Sequence, residues 1–315
     1  MEKSPVLIVG AGISGIACAQ ALRSAGRPVR VVDRGRVPGG RMASRSVGGR
    51  PVDIGAAYFT AKPGTPFAAV VDDWVERGLA RAWTDTVAVA NDSGITGSTT
   101  GPMRYAAAKG LRSLVEDLAQ GIDVEQGITL EHVAQGEALG GSYGTVVLAM
   151  PDPQARRLLD ASSPLREKLD HGSGWAPSVA VVLEFSTRSW KQFHTAFVNE
   201  HPVLTSLADD GDRRGDGRPV LVAQTTAPFA QEHLDEPDGA IEPVSTAVRR
   251  LLSLPDAPVN AFAHRWTFAR PESQHSEPFL LVDGLGVCGD AWGERSSVST
   301  AWASGDALGR AIAQS

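Results

Sequence analysis

Residues 6–22 read VLIVGAGISGIACAQAL, and this stretch decides the fold. The apolar run 6–9 is short, unbroken and ended by glycine, as a fully buried strand would be. Residues 14–25 then place Ile16, Ala17, Ala21 and Leu22 at helical spacing, and Gly26 stops them. Residues 29–32 form a second apolar run that closes on Asp33. The first 33 residues therefore predict a β-α-β unit.

Three glycines punctuate that unit. Gly10 permits the tight turn out of the strand, and Gly12 lets a pyrophosphate approach the backbone. Gly15 lets the helix pack closely on the strand. The helix mouth, with Ile13 and Ser14, offers free N–H groups and a partial positive charge to phosphates. Asp33 stands close to the ~20-residue spacing at which an acid accepts ribose hydroxyls. Its carboxylate argues against an NADP 2′-phosphate, although Arg34 beside it weakens that argument. Bound NAD, NADP and FAD all fit this pattern on its own.

Outward from the unit, the Gly-rich passage GRVPGGRMASRSVGGRPVDIGAAYF is long for an internal connection, and such loops are usually functional. Helical patterns are predicted over 67–76, from Pro102 through 119, over 242–252 and over 298–313. Strands are predicted at 122–124, 129–133 and 146–150. In the middle, 178–185, 219–226 and 257–266 read as strands of an antiparallel sheet. DDGDRRGDGR, 209–218, holds the basic pair Arg213 and Arg214 among acids and glycines and reads as an exposed turn. Between residues 133 and 146 only a Gly-rich connection is expected. The nucleotide-binding elements thus lie at both ends of the chain, with antiparallel material inserted between them.

The 315 residues are 42% hydrophobic and 21% charged, which suits a soluble globular protein of one large or two ordinary domains. A net charge of −6 gives no reason to expect nucleic-acid or anionic-membrane binding. Cys18 and Cys288 both lie in apolar patterns and read as buried structural thiols. No zinc-ligand spacing is present, so no metal is expected. No signal peptide and no apolar run of roughly 20 residues is visible, which leads to the expectation of a cytoplasmic location. The oligomeric state is not legible.

The pattern DRGRVPGGRM, 33–42, resembles the flavin-dependent amine oxidase superfamily. There a Gly-Gly-Arg after the acidic strand end meets the cofactor, and Gly39, Gly40 and Arg41, with Met42, match it here. Arg41 can neutralise a pyrophosphate with its forked donors. The superfamily's second flavin contact is matched by Asp53, Ile54, Gly55 and Ala56. Its terminal Gly-Asp is matched by Gly289 and Asp290, whose acid is expected on the ribityl chain. The following helix, with Ser297 and Val298 at its mouth, would aim its positive end at the flavin. Ile128 is the candidate adenine contact. These matches imply FAD as the resident cofactor. They imply an α/β fold: a Rossmann-like FAD-binding domain with an inserted α+β substrate domain on an antiparallel sheet, the amine oxidase / p-hydroxybenzoate hydroxylase-like topology. The expected boundaries are 1–63, 102–150 and 277–315 for the FAD-binding domain, and 64–101 and 151–276 for the substrate domain.

Within the superfamily the sequence is similar to the renalase family, through GGRMAS, VDIGAAYFTA, VVLAMPDPQARRLL and AHRWTFARPE. That likeness implies oxidation of the 2- and 6-dihydro isomers of NAD(P)H, with O2 as electron acceptor and hydrogen peroxide as product. The partners are then a small dinucleotide and O2. Ala57 stands where the family usually has Gln, and Ser299 and Thr300 where it has Glu and Gly; these departures bear on substrate identity.

Such chemistry needs no general base, because the product cation is aromatic, so the protein's task is positioning. HRWTFARP, 264–271, places His264, Trp266 and Phe268 on one strand face. Trp266 or His264 lines the substrate side, or else they form a packed core strand end. Arg270 meets a substrate phosphate or a surface acid. Tyr58 is the remaining candidate. Amine oxidase chemistry commonly uses an aromatic residue at the position matched by Ser297, and a lysine near the flavin that has no obvious match here. An amine oxidase or desaturase-like enzyme, and a non-catalytic FAD-binding protein, remain the alternatives.

Overall fold

The computed structural model describes residues 4–169 and 174–315. The chain divides into one unit of Met1–Met42, Arg112–Gly174 and Pro271–Ser315, and a second of Ala43–Leu111 and Trp175–Arg270.

The first unit is built on the opening strand. Val6–Val9, buried throughout, is central in a six-stranded sheet. It runs parallel to Val29–Asp33 on one side and Thr145–Leu148 on the other. Val124–Gln126 extends the sheet beyond Val29–Asp33, and Leu285–Val287 extends it beyond Thr145–Leu148. An antiparallel edge, Leu280–Val282, completes it. Helix Ile13–Ser24 follows the first strand, and the closing helix Val298–Gln314 packs against it. That packing is backbone-close: a Cβ at Gly305 would fall inside 3.0 Å of Ser14 O, and one at Gly309 inside 3.0 Å of Cys18 O. Gly15 plays the same part toward Gly10 O, the close helix–strand approach read from the motif. Cys18 and Cys288 are free and buried, and burial pushes the Cys288 thiol up to about 12.

The second unit carries an eight-stranded sheet in the order Asn260–Pro271, Trp175–Glu184, Val220–Thr225, Leu204–Asp209, Thr195–Val198, Arg81–Asn91, Gly94–Ala106, Phe59–Thr60. Trp175–Glu184, Val220–Thr225, Leu204–Asp209 and Thr195–Val198 pair antiparallel in succession, and Thr195–Val198 runs parallel to Arg81–Asn91. Helix Ile241–Leu252 buries Val244, Val248 and Leu251 in a core that includes Val179, Val181, Leu183, Leu207 and Leu221. A separate hairpin, Ser44–Val47 with Arg50–Asp53, packs its Val52 with Ala180, Val182 and Val222. This packing draws residues 43–63 into the second unit rather than the first.

Several expected elements differ. The helix expected from Pro102 is strand as far as Ala106, the far arm of a long hairpin with Arg81–Asn91. Cross-strand pairing outweighs the helical propensity of 103–108, and Gly110 at φ +86° delays the helix, which spans only Arg112–Leu118. Ile122 belongs to the turn closing that helix, so the strand starts at Val124. Over 129–133 only Val133 pairs, as a single bridge to Leu159. The connection before residue 146 contains a small hairpin, Glu137–Ala138 with Gly141–Ser142. The largest correction concerns 209–218, where Asp210–Arg214 is a buried helix rather than an exposed turn.

Candidate functional site

The Gly-rich turn of the first unit is an open helix mouth. Gly12 is the N-cap of Ile13–Ser24 and supplies no side-chain cap, so the first-turn N–H groups keep no side-chain acceptor there. Thr65, Asp209, Thr226 and Ser297 do cap their own helices. Gly10, at φ +115° and with Ala149 O against its missing Cβ, admits only glycine. Gly12 and Gly39 form a parallel bridge, and Gly39 N donates to Ala11 O at 3.0 Å. The two glycine loops therefore lie against each other, with Gly40 Cα beside Gly12.

Asp33 is held by the same turn. Its Oδ2 accepts from Ala11 N and its Oδ1 from Gly35 N, each at 2.6 Å. Ile128 N donates to Asp33 O at 3.0 Å, which places the adenine candidate beside the ribose candidate. Arg34 is exposed. Arg41 reaches Asp290 with both terminal nitrogens, at 2.9 and 2.5 Å. The Arg41 fork, expected on a pyrophosphate, instead holds the Asp290 carboxylate. Ser296 also donates to Asp290, at 2.5 Å, and Gly289 N donates to Ser304 Oγ at 3.0 Å. Asp290 is buried, and Met42 packs in the core. Ser297 caps the closing helix, which starts at Val298, by accepting from Thr300 N at 3.1 Å.

These residues fit a dinucleotide. An uncapped helix mouth suits a pyrophosphate, an oriented acid at a strand end suits a ribose, and Asp290 is a second oriented acceptor. Among the described residues no group of three or more His, Cys, Asp or Glu is placed to hold a metal, and no helix is long and apolar enough to cross a membrane.

The second unit holds the other candidates. Gly55, Ala56, Ala57 and Tyr58 are half-buried. Tyr58 lies beside Trp83, with the Arg104 guanidinium 5.2 Å above its ring. Strand Asn260–Pro271 sets Phe262, His264, Trp266 and Phe268 in one half-buried row, as the alternation predicts. Trp266 Nε1 donates to Ile54 O at 2.8 Å, and its ring stands edge-on to His264 at 4.6 Å. The exposed Arg45 places its guanidinium 4.5 Å above the Phe262 ring. Burial, then the positive charges of Arg45 and Arg265, hold the His264 imidazole below its ordinary pKa. Arg270 is exposed.

Beneath residues 53–57 lies an ion cluster. Arg213, fully buried, pairs with Asp210, and Arg214 pairs with Asp53. Arg50 adds bonds to Asp210 and Asp216. Burial opposes ionisation of Asp210, but Arg213, Arg214 and Arg50 outweigh it and hold its pKa below the usual carboxylate value. Ser44 Oγ and Leu111 N donate to Asp53 Oδ1 at 2.5 and 2.9 Å. Composition hid this cluster, because acids, arginines and glycines in series resemble a solvated loop. The usable signal was the i,i+3 and i,i+4 spacing of Asp210 to Arg213 and Arg214.

Residues 8–74 match the model of an NAD(P)-binding Rossmann-like domain. The chain is 25% identical to renalase of Mus musculus, over 90% of this chain and 93% of that one. A shorter match, 47% identical over 55 residues, is to phytoene dehydrogenase of Streptomyces griseus, covering 18% of this chain and 11% of that enzyme. In structure it is similar to cyclohexylamine oxidase from Brevibacterium oxydans IH-35A, with TM-score 0.78 at 14% identity, covering 99% of each chain. Putrescine oxidase bound to putrescine superposes with TM-score 0.72 at 14% identity, over 99% of this chain and 98% of that one. The fold and the dinucleotide frame, with these relatives, define an FAD-dependent oxidoreductase. Over nearly its whole length the chain is similar to renalase, and its fold is that of the amine oxidases.

Proposed function

We propose that the enzyme oxidises the 2- and 6-dihydro isomers of NAD(P)H to NAD(P)+. The balanced reaction consumes one dihydro isomer, one O2 and one proton, and yields NAD(P)+ and hydrogen peroxide. FAD, when bound, supplies the two-electron acceptor. For its pyrophosphate we assign Gly10, Gly12, Ile13, Ser14, Gly15 and Gly40, and we assign Arg41, through its pair with Asp290, and Met42 to the frame beside them. Asp33 and Arg34 are assigned to its ribose and Ile128 to its adenine. Gly55, Ala56, Gly289, Asp290, Ser297 and Val298 are assigned to the flavin half.

The observation that carries the substrate reading is the row Phe262, His264, Trp266 and Phe268, which begins beside Arg45 and reaches Ile54 through the Trp266 indole. Aromatic faces followed by a guanidinium suit a pyridine nucleotide, which is a flat ring joined to phosphates. Tyr58 and Arg270 are the further positioning candidates. The imidazole of His264, held below its ordinary pKa, stays neutral at pH 7. Loss of hydride from a dihydropyridine leaves an aromatic cation, so no residue has to remove a proton. The residues' work is to orient the ring and exclude water.

The reading is tested by incubating the purified holoenzyme in air with 6-dihydro-NAD and following O2 uptake beside nucleotide products. One NAD+ formed per O2 consumed supports it. Consumption of O2 with putrescine or cyclohexylamine, and none with the dihydro isomer, overturns it.

A further inference from the structure

The stretch 54–58 joins two strands without belonging to either ladder; Ile54 at one end and Ala57 and Tyr58 at the other pack on hydrophobic cores, while Gly55 and Ala56 between them offer at most a methyl group. Its carbonyl groups are held instead by side chains from three separate elements. Arg213, on helix Asp210–Arg214, donates Nη1 to Ala57 O at 2.8 Å and Nη2 to Asp53 O at 3.3 Å. Gln224, on strand Val220–Thr225, donates Nε2 to both Ile54 O and Gly55 O at 3.3 Å. Trp266 donates to Ile54 O at 2.8 Å. Behind Gln224, the Ser178 hydroxyl donates to Oε1 at 3.0 Å, which turns the amide so that its N–H groups face the stretch.

We propose that Arg213, Gln224 and Trp266 are positioning residues that clamp the backbone of Gly55 and Ala56 in place against the flavin. The proposal rests on the reading that Gly55 and Ala56 meet the cofactor. A backbone group beside a ring that gains charge must be placed to about 0.5 Å, since its electrostatic effect depends on preorganisation. Gly55 and Ala56, with no side chain beyond a methyl group, do not hold such a position by themselves. The ion cluster serves the clamp, because Asp210 fixes the Arg213 fork from which two of the bonds arise. Arg213 is too deeply buried among charges for a clean test, so Gln224 and Trp266 carry it.

The experiment uses Gln224→Met and Trp266→Phe, which remove donors while keeping bulk. Amide hydrogen exchange of the peptide spanning 52–59 is measured in FAD-free protein. The visible flavin spectrum and midpoint potential are measured in FAD-loaded protein. The clamp predicts exchange about five-fold faster or more in each variant, confined to that peptide, together with a shifted flavin spectrum and potential. Unchanged exchange in both variants overturns the clamp. Faster exchange with an unaltered flavin spectrum and potential keeps the carbonyl anchoring but removes Gly55 and Ala56 from the flavin, which overturns the proposed role and the reading beneath it.

Discussion

Arg41 and Asp290 form a two-bonded ion pair across 249 positions of the chain, at 2.9 and 2.5 Å. The pair fastens the Gly39–Gly40 turn to the loop that follows strand Leu285–Val287, so elements from the two ends of the sequence build one frame. A hydrogen bond to a charged group is worth about 1.5–3 kcal/mol. Asp290→Asn keeps the size of the side chain and drops its charge. It is expected to weaken FAD binding about ten- to a hundred-fold, read from the flavin retained on dialysis. An unchanged dissociation constant would remove Asp290 from the cofactor frame.

Arg213→Met tests the buried cluster. It leaves Asp210 and Asp53 with less neutralising charge inside a dry site. Breaking a buried pair from one side costs about 3–5 kcal/mol, so the urea midpoint falls sharply. The double variant Arg213→Met, Asp210→Leu loses less than the two single losses added together, because no lone charge remains.

The helix contact between Ile13–Ser24 and Val298–Gln314 tolerates no Cβ. Gly305→Ala is expected to destabilise by about 1–3 kcal/mol or more through overpacking against Ser14 O. Gly97→Ala, where a Cβ would meet open space, stays within about 0.5 kcal/mol of wild type. Thermal melts of the two variants side by side check the contrast.

His264 supplies the pH dependence. Its pKa is lowered in the folded state by burial first and then by Arg45 and Arg265. Between that lowered value and the ordinary 6.5 the unfolded chain binds more protons, so stability rises with pH across the window and is lost as pH falls through it. Arg45→Ala moves the His264 pKa upward toward 6.5, read by NMR titration of the imidazole. A downward movement contradicts the placement of Arg45.

The nucleotide end was legible in the sequence because each of its parts is local. Val6–Val9, the three glycines, Asp33 and the helix they imply all lie in a continuous stretch whose period and turn residues have one sensible reading. Gly39, Arg41 and Asp290 needed the resemblance, since no periodicity links positions so far apart. In the sheet of the second unit Trp175–Glu184, Val220–Thr225 and Asn260–Pro271 were legible, while Thr195–Val198, Leu204–Asp209, Phe59–Thr60 and the long hairpin were not. Residues 103–108 favour helix locally, and pairing with Arg81–Asn91 and Phe59–Thr60 makes them strand as far as Ala106. The Asp210–Arg214 helix was misread because burial of a charge depends on partners that sequence does not place beside it. Asp53 is far away in the chain, and the two make sense only as a pair.

Anaerobic mixing of the FAD-loaded enzyme with 6-dihydro-NAD, 2-dihydro-NAD, their phosphorylated forms and a panel of amines, with flavin absorbance followed, separates dihydronicotinamide oxidation from amine oxidation. Rapid bleaching by one or more dihydro isomers is expected, with NAD(P)+ recovered, and no bleaching by amines. Bleaching by amines alone, or by no donor in the panel, would contradict dihydronicotinamide oxidation.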